Sequence, residues 1–313
     1  MNLVGKFDIY SEISPVIWTM KIFGICNYSL KGNLSFREIK QCSVTYAYCL
    51  ILLILHICII FFYVKDSMSE EVALGPVEYK MFAHLFVTCS ALSVIVRASS
   101  VFRRFNIDAV YNALADFDCK MSYDHKNYKI CYVFSIVLIT QHYINFVYVL
   151  HRVILSEVLN SVLLSVALFN HWPFITVDIL YLSILLAMQW RYRVLNLKIQ
   201  KSLQSDSLKY SVSMLNSTHG NELKSVSIPI LRDLYYSLTH ICKLMNSSFS
   251  IPILLSITCK FIILTFNLHI LLSRSLRNES VLDAIEAEVV INSVNYSSII
   301  VLITWFTTVT TSE

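Results

Sequence analysis

The chain has 313 residues, 56% of them hydrophobic and 15% charged, with a formal net charge of +4. Soluble domains carry roughly 45–50% apolar and about 25% charged residues, so this composition belongs to a chain that prefers lipid. With five glycines and five prolines, collagen-like repeats, long flexible linkers and glycine-rich phosphate loops are excluded. The apolar residues come in runs too long for soluble domains, which makes this a polytopic membrane protein.

The stretch Met1–Met20 lacks a charged start followed by a compact apolar run. No cleaved signal peptide is expected, and the first membrane helix serves as its own insertion signal. A helix needs about 20 mostly apolar residues to cross the hydrocarbon core. Six stretches qualify: Gln41–Val64, Met81–Val101, Ile130–Leu150, Leu168–Trp190, Phe249–Leu272 and Val289–Phe306. The expected fold is an all-α polytopic membrane protein with six transmembrane helices.

Basic residues set the orientation, because Lys and Arg are retained on the cytoplasmic side. The N-terminal tail carries Lys6, Lys21, Lys31, Arg37 and Lys40, and the second loop Arg103, Arg104, Lys120 and Lys126. Eight more lie between Arg191 and Lys243. The opposite side has only Lys65, Arg152, Arg274 and Arg277, among acidic neighbours. Both termini are therefore expected inside, which argues against a rhodopsin-type receptor. The sequon at Asn278 falls in an outer loop and is the candidate glycosylation site. Those at Asn27, Asn33, Asn216 and Asn246 fall inside, and Asn295 lies within a span.

The chain then divides into a cytoplasmic N-terminal segment (1–40), helices one to four (41–190), cytoplasmic helical extensions (191–248), helices five and six (249–308) and a cytoplasmic end (309–313). Ser202–Ile228 is Ser-rich without a sustained apolar stripe and reads as a linker. After Pro229, the residues Leu231, Leu234, Tyr235, Leu238, Ile241, Cys242 and Met245 recur at steps of three and four, the mark of an amphipathic helix. Gln189–Gln200 likewise continues span four past the membrane. The two extensions can pack on each other or on another subunit. No internal repeat is visible, which weighs against an inverted-repeat transporter.

Nine cysteines, with no CxxC pair and no His partner at ligand spacing, read as reduced, buried small hydrophobes. Arg97, near the inner end of span two, reads as snorkelling to the headgroups. Asp178 and Lys260 are intramembrane charges near the middle of spans four and five, and either pair with each other or line an aqueous cavity. Sorting by depth places Tyr79 and His84 in the outer halves of the bundle, with Gln141, His142, Tyr143, Asn145 and Tyr148 from span three. Asn170, His171 and Trp172 join from span four, Thr265, Asn267 and His269 from span five, and Asn292, Asn295 and Tyr296 from span six. Such a set suits a mostly apolar ligand cavity with a few polar groups. HExxH, GxSxG, P-loop and clustered His signatures are absent, so neither catalysis, a cofactor nor a metal is expected. No span carries a cation at every third position, which argues against a voltage sensor.

Three stretches resemble insect gustatory receptors of the seven-helix insect chemoreceptor channel family. Pro15-Val-Ile-Trp-Thr-Met-Lys-Ile-Phe-Gly-Ile25 is similar to the family's Pro-then-Phe-Gly segment before the first span. Met188-Gln-Trp-Arg-Tyr-Arg-Val-Leu-Asn196 is similar to its aromatic-and-Leu-Asn exit from span four. Leu231-Arg-Asp-Leu-Tyr-Tyr-Ser-Leu238 through Leu244-Met-Asn-Ser-Ser-Phe-Ser250 is similar to its run into span five. The resemblance implies a tetrameric, ligand-gated, non-selective cation channel in the plasma membrane of sensory neurons, binding a small-molecule tastant in the outer half of the bundle formed by spans two to six. It also implies homo- or hetero-tetramers with related receptors, assembled through Leu231, Leu234, Tyr235, Leu238, Ile241 and Met245, and no nucleic-acid partner. The family's seventh, pore-lining helix has a Thr-Tyr start and a Gln-Phe end. The present sequence stops at Thr310-Thr-Ser-Glu313 without them, so a truncated receptor is expected. Two other readings stay open: a six-span solute transporter using Asp178 and Lys260, and a non-conducting membrane partner of a complete receptor.

Overall fold

The computed structural model describes residues 9–25, 28–31, 38–41, 43–67, 77–102, 107–121, 128–155, 160–212, 228–276 and 284–312. Its first element, α1 (Ile9–Ile22), buries Val16, Ile17 and Met20 and leaves Trp18 and Ile22 exposed. The helix ends in a paired-hydrogen-bond cap. The Ile25 amide donates to the Met20 carbonyl (2.8 Å) and the Gly24 amide to that of Lys21 (3.0 Å). Gly24 stands at φ +66°, the left-handed conformation this cap demands. A short antiparallel ribbon follows, with β1 (Tyr28–Lys31) paired to β2 (Glu38–Gln41) in the register Tyr28↔Gln41 and Lys31↔Glu38. The sequence reading did not foresee this ribbon.

The six expected spans fall on six helices in order: α2 (Ser43–Ser67), α3 (Val77–Phe102), α5 (Tyr128–Leu155), α6 (Asn160–Val212), α7 (Ile228–Leu276) and α8 (Ala284–Ser312). By length and hydropathy, Ser43–Phe62, His84–Val101, Trp172–Gln204 and Pro229–Ser273 are each long and apolar enough to cross a membrane. Tyr132–Ile144 and Tyr296–Thr308 are shorter apolar segments within α5 and α8. The chain is an all-α polytopic membrane protein apart from the small ribbon.

Two helices are much longer than a bilayer requires. At 53 residues α6 is about 80 Å long by the rise of 1.5 Å per residue, against about 30 Å of hydrocarbon. The 49 residues of α7 make it nearly as long. Both extend well past any membrane. Helix α6 also runs to Val212, so Ser202–Val212 of the expected linker is helical, and the remaining residues 213–227 lie outside the described residues.

Helix α6 is the axis of the molecule. It packs against α1, α3, α5, α7 and α8, and 89% of its apolar window is buried, against 17% for α2. A helix that is apolar on all sides is stable only when surrounded, which is why α6 has no polar face across the bundle. By contrast α2 packs mainly on α3 and exposes Ile51, Ile54, Leu55, Phe61 and Phe62, the surface a lipid-facing helix presents.

One further helix, α4 (Ile107–Met121), lies between α3 and α5. Ile107, Val110, Tyr111, Leu114, Phe117 and Met121 form a buried stripe at helical spacing. It docks against α7, with further contacts to α1 and β2. Asp108 in the first turn and Lys120 in the last complement the helix dipole. The exposed Lys120–Asp116 pair (2.7 Å) adds little, although Asp116 holds the Lys120 ammonium above the ordinary lysine range.

Candidate functional site

A carboxylate on a helix as enclosed as α6 must find its partners inside the protein. Asp178 is 1% exposed and faces Lys260 of α7, itself 2% exposed. The Lys260 ammonium donates to Asp178 Oδ2 and to Ser256 Oγ at 2.5 Å. The Ser256 hydroxyl in turn donates to Asp178 Oδ2 at 3.0 Å. Ser256 and Lys260 stand four residues apart and so share one face of α7. Asp178 Oδ1 has no hydrogen-bond partner among the described residues.

Helix α5 closes the third side. Ser135, Leu138 and His142, at steps of three and four, are all buried. Ser135 Oγ lies 2.8 Å from Ser183 Oγ of α6, whose hydroxyl also donates to the Ile179 carbonyl at 2.7 Å. His142 comes within electrostatic reach of Lys260. A polar centre thus forms where α5, α6 and α7 meet, inside an otherwise apolar core. Breaking such a pair strands a charge in low dielectric, so α6 and α7 are held in one register there.

The expected ligand-binding residues divide by position. His142 joins the polar centre, and Asn267 of α7 donates from Nδ2 to Ser293 Oγ of α8 at 3.2 Å. Tyr296 is half-buried against the core. His84, Gln141, Tyr143, Thr265 and His269 lie on the outside of the single-chain bundle and do not line its interior. The side chains of Tyr79, Asn145, Tyr148, Asn170, His171 and Asn292 lie outside the described residues. Trp172 is buried, but as a packing residue: its ring stacks on Phe23 at 4.3 Å between centroids, 8° from parallel.

The expected assembly stripe is also spoken for. Leu231, Leu234, Leu238, Ile241 and Met245 are all at most 3% exposed, within one core cluster. The chain's own α4 and α6 both pack on α7. Only Tyr235 of the set remains half open, at 46%, with its ring edge-on to Tyr192 of α6 (6.1 Å). Tyr192 Oη also lies 3.6 Å from Cys242 Sγ. The two extensions therefore pack on each other as an intramolecular hairpin.

A family model described as 7tm Chemosensory receptor matches residues 13–312. The chain belongs to the 7tm chemosensory receptor family. No curated protein matches it. The match begins inside α1, so in this receptor the segment before the first span is part of the shared body. The structure gives α1 that place physically. The Phe23 carbonyl accepts a hydrogen bond from Arg97 Nη1, the Ile22 carbonyl accepts one from Tyr48 Oη at 2.9 Å, and the Phe23 ring stacks on Trp172. Arg97 is 0% exposed, which corrects the snorkelling expectation. Its guanidinium satisfies a carbonyl left over at the α1 terminus instead of reaching the headgroups.

Sequence reasoning missed a second charged centre in the receptor. Arg191 of α6, counted only as a cytoplasmic cation, is 1% exposed. It grips Asp118 of α4 with both prongs, Nε to Oδ1 at 2.8 Å and Nη2 to Oδ2 at 2.5 Å. Its Nη1 donates to the Ala187 carbonyl at 2.7 Å. Two turns on, Lys198 Nζ donates to the Met121 carbonyl at 2.7 Å and caps the end of α4. The available signal was Asp118 itself, an acid sitting on the apolar stripe of an amphipathic helix.

Proposed function

We propose that this receptor is a gustatory-type chemoreceptor, a subunit of a ligand-gated, non-selective cation channel that senses small-molecule tastants. The observation that supports this reading is the family match over residues 13–312, joined to a polar centre enclosed by α5, α6 and α7. We place it in the plasma membrane of sensory neurons, with both termini cytoplasmic, as a homo- or hetero-tetramer with related receptors. Among the described residues of the extensions, the exposed apolar side chains that can meet neighbouring subunits include Leu197, Leu203, Ile230 and Tyr236, each at least half exposed.

The test is whole-cell recording from cells expressing the receptor alone and with related receptors, exposed to sugars, bitter alkaloids and amino acids. Tastant-evoked cation current in either arrangement is the expected result. Ligand-independent solute flux without current would overturn it in favour of a solute transporter, the reading that the buried Asp178–Lys260 pair also permits. The Asp178→Asn/Lys260→Met double variant separates these further, abolishing flux in a transporter and only shifting ligand sensitivity in a receptor. A chain that reaches the cell surface and yields neither current nor flux would leave the non-conducting partner as the better account.

A further inference from the structure

The sequence assigns α1 to the cytoplasm, yet the face it exposes is apolar. Trp18 and Ile22, one turn apart, are 63% and 61% exposed. The Tyr48 hydroxyl of α2 bonds the Ile22 carbonyl, so this face runs into that of α2, where Val44, Tyr48, Ile51 and Leu55 are exposed at steps of three and four. Gly24 abuts Leu52, nine residues after Ser43 and so about 14 Å along α2. The end of α1 therefore lies beside the middle of the apolar stretch Ser43–Phe62. Each of the last five carbonyls of α1 and its cap has a donor from the protein. The amides of Phe23, Ile25 and Gly24 serve Thr19 (3.2 Å), Met20 (2.8 Å) and Lys21 (3.0 Å). Tyr48 Oη serves Ile22 (2.9 Å) and Arg97 Nη1 serves Phe23. In water, solvent can meet such groups; in hydrocarbon the protein must meet every one. Lys21 holds its ammonium 5.3 Å from the centroid of the Trp18 ring. It thus reaches back toward the start of the helix, as a lysine does when its stem lies in lipid and its charge seeks the headgroups.

We propose that the last two turns of α1 are seated in the bilayer, with Trp18 at the headgroup boundary, Ile22 in the hydrocarbon and the Lys21 ammonium on an acidic phospholipid headgroup. Lipid is the occupant for three reasons. The face continues that of a spanning helix, it ends in a terminus whose carbonyls are satisfied without water, and it joins an aromatic ring to a cation as membrane boundaries do. With the N-terminus inside, the leaflet is the cytoplasmic one, whose acidic lipids attract lysine. The same terminus holds Arg97 of α3 through the Phe23 carbonyl and Trp172 of α6 through the Phe23 ring. Lipid bound at Trp18 and Lys21 would therefore steady a contact among three helices.

The full chain is reconstituted in phosphatidylcholine vesicles that carry a photoactivatable diazirine on the acyl chain, irradiated, digested and analysed by mass spectrometry. Lipid adducts are expected on Trp18 or Ile22 as well as on α2, and not on the enclosed Leu180–Leu186 of α6. Labelling of α2 that spares α1 would overturn the proposal, since water or a second copy of the chain would then cover this face. With the diazirine on phosphatidylserine, adducts on α1 should rise about fivefold relative to those on α2, the weight of one lysine near an acidic surface. Lys21→Gln should remove that rise. An unchanged yield on phosphatidylserine, or a rise that persists in Lys21→Gln, would overturn the headgroup contact. The first measurement uses the wild-type chain and depends on no ligand response, so a poorly folding variant does not blunt it.

Discussion

Gly24 shows how a single residue can seat a whole segment. Its positive φ costs nothing to glycine but about 1–2 kcal/mol to an L-residue, and a Cβ there would come within 2.6 Å of Leu52 Cδ1 on α2. Gly24→Ala should therefore lower the melting temperature of the receptor in detergent. Adding Leu52→Ala should recover the part due to crowding and leave the part due to φ; a Gly24→Ala protein melting like wild type would overturn this account. At Asp178 and Lys260 the expectation is asymmetric. Asp178→Asn or Lys260→Met alone should cost on the order of 3–5 kcal/mol, because each leaves the partner unpaired, whereas Asp178→Leu with Lys260→Met together should be close to neutral. Thermal melts of the three proteins decide it. Equal losses in singles and double would mean that the two charges do not act as a pair.

Among the elements, α4 depends most on a specific contact. It is 15 residues long, too short to be stable in isolation, so its apolar stripe and the Asp118–Arg191 fork must hold it. Arg191→Lys keeps the charge but loses the planar two-pronged geometry. Hydrogen exchange in Ile107–Met121 should then accelerate by one to two orders of magnitude, about 1.4–2.8 kcal/mol at 1.4 kcal/mol per tenfold, while exchange in the buried part of α6 stays unchanged. Uniform acceleration across both helices would show that Arg191 serves global stability rather than α4. The same fork explains why α4 escaped the sequence reading. Its 15 residues fell in a loop between two spans, and a stretch so short competes poorly with strong apolar runs on either side.

For the whole molecule, the orientation is the most open to direct test. If both termini lie inside, Asn278 is the sequon that meets the glycosylation machinery, and Asn216 does not. Endoglycosidase treatment should reduce the apparent mass of the wild type and of Asn216→Gln, but not of Asn278→Gln; the opposite pattern would invert the topology. Both sequons belong to the sequence reading, and both lie outside the described residues. Helix α6 carries both charged centres: 13 residues at 1.5 Å each set Asp178 and Arg191 about 20 Å apart along it.

The membrane class and the order of the six long helices followed from the sequence alone. Runs of about 20 apolar residues have few stable alternatives to a spanning helix. The same holds for the stretch before Phe249, where the three-and-four spacing of Leu231–Met245 marks a helix with one apolar face. What that spacing could not say is which surface covers an apolar stripe. Leu231–Met245 suits a neighbour's helix as well as α4, and only the three-dimensional path of the chain brings α4 to it. Depth sorting carries less than packing for a related reason. It places residues by distance along a helix but not by angle around it, so exposed Tyr143 and buried His142 looked equivalent. Long-range pairs lie furthest from the sequence: Asp118 with Arg191, Arg97 with the Phe23 carbonyl, Lys198 with the Met121 carbonyl. Their partners are dozens of residues or more apart, and nothing local marks them until packing around α6 makes them neighbours.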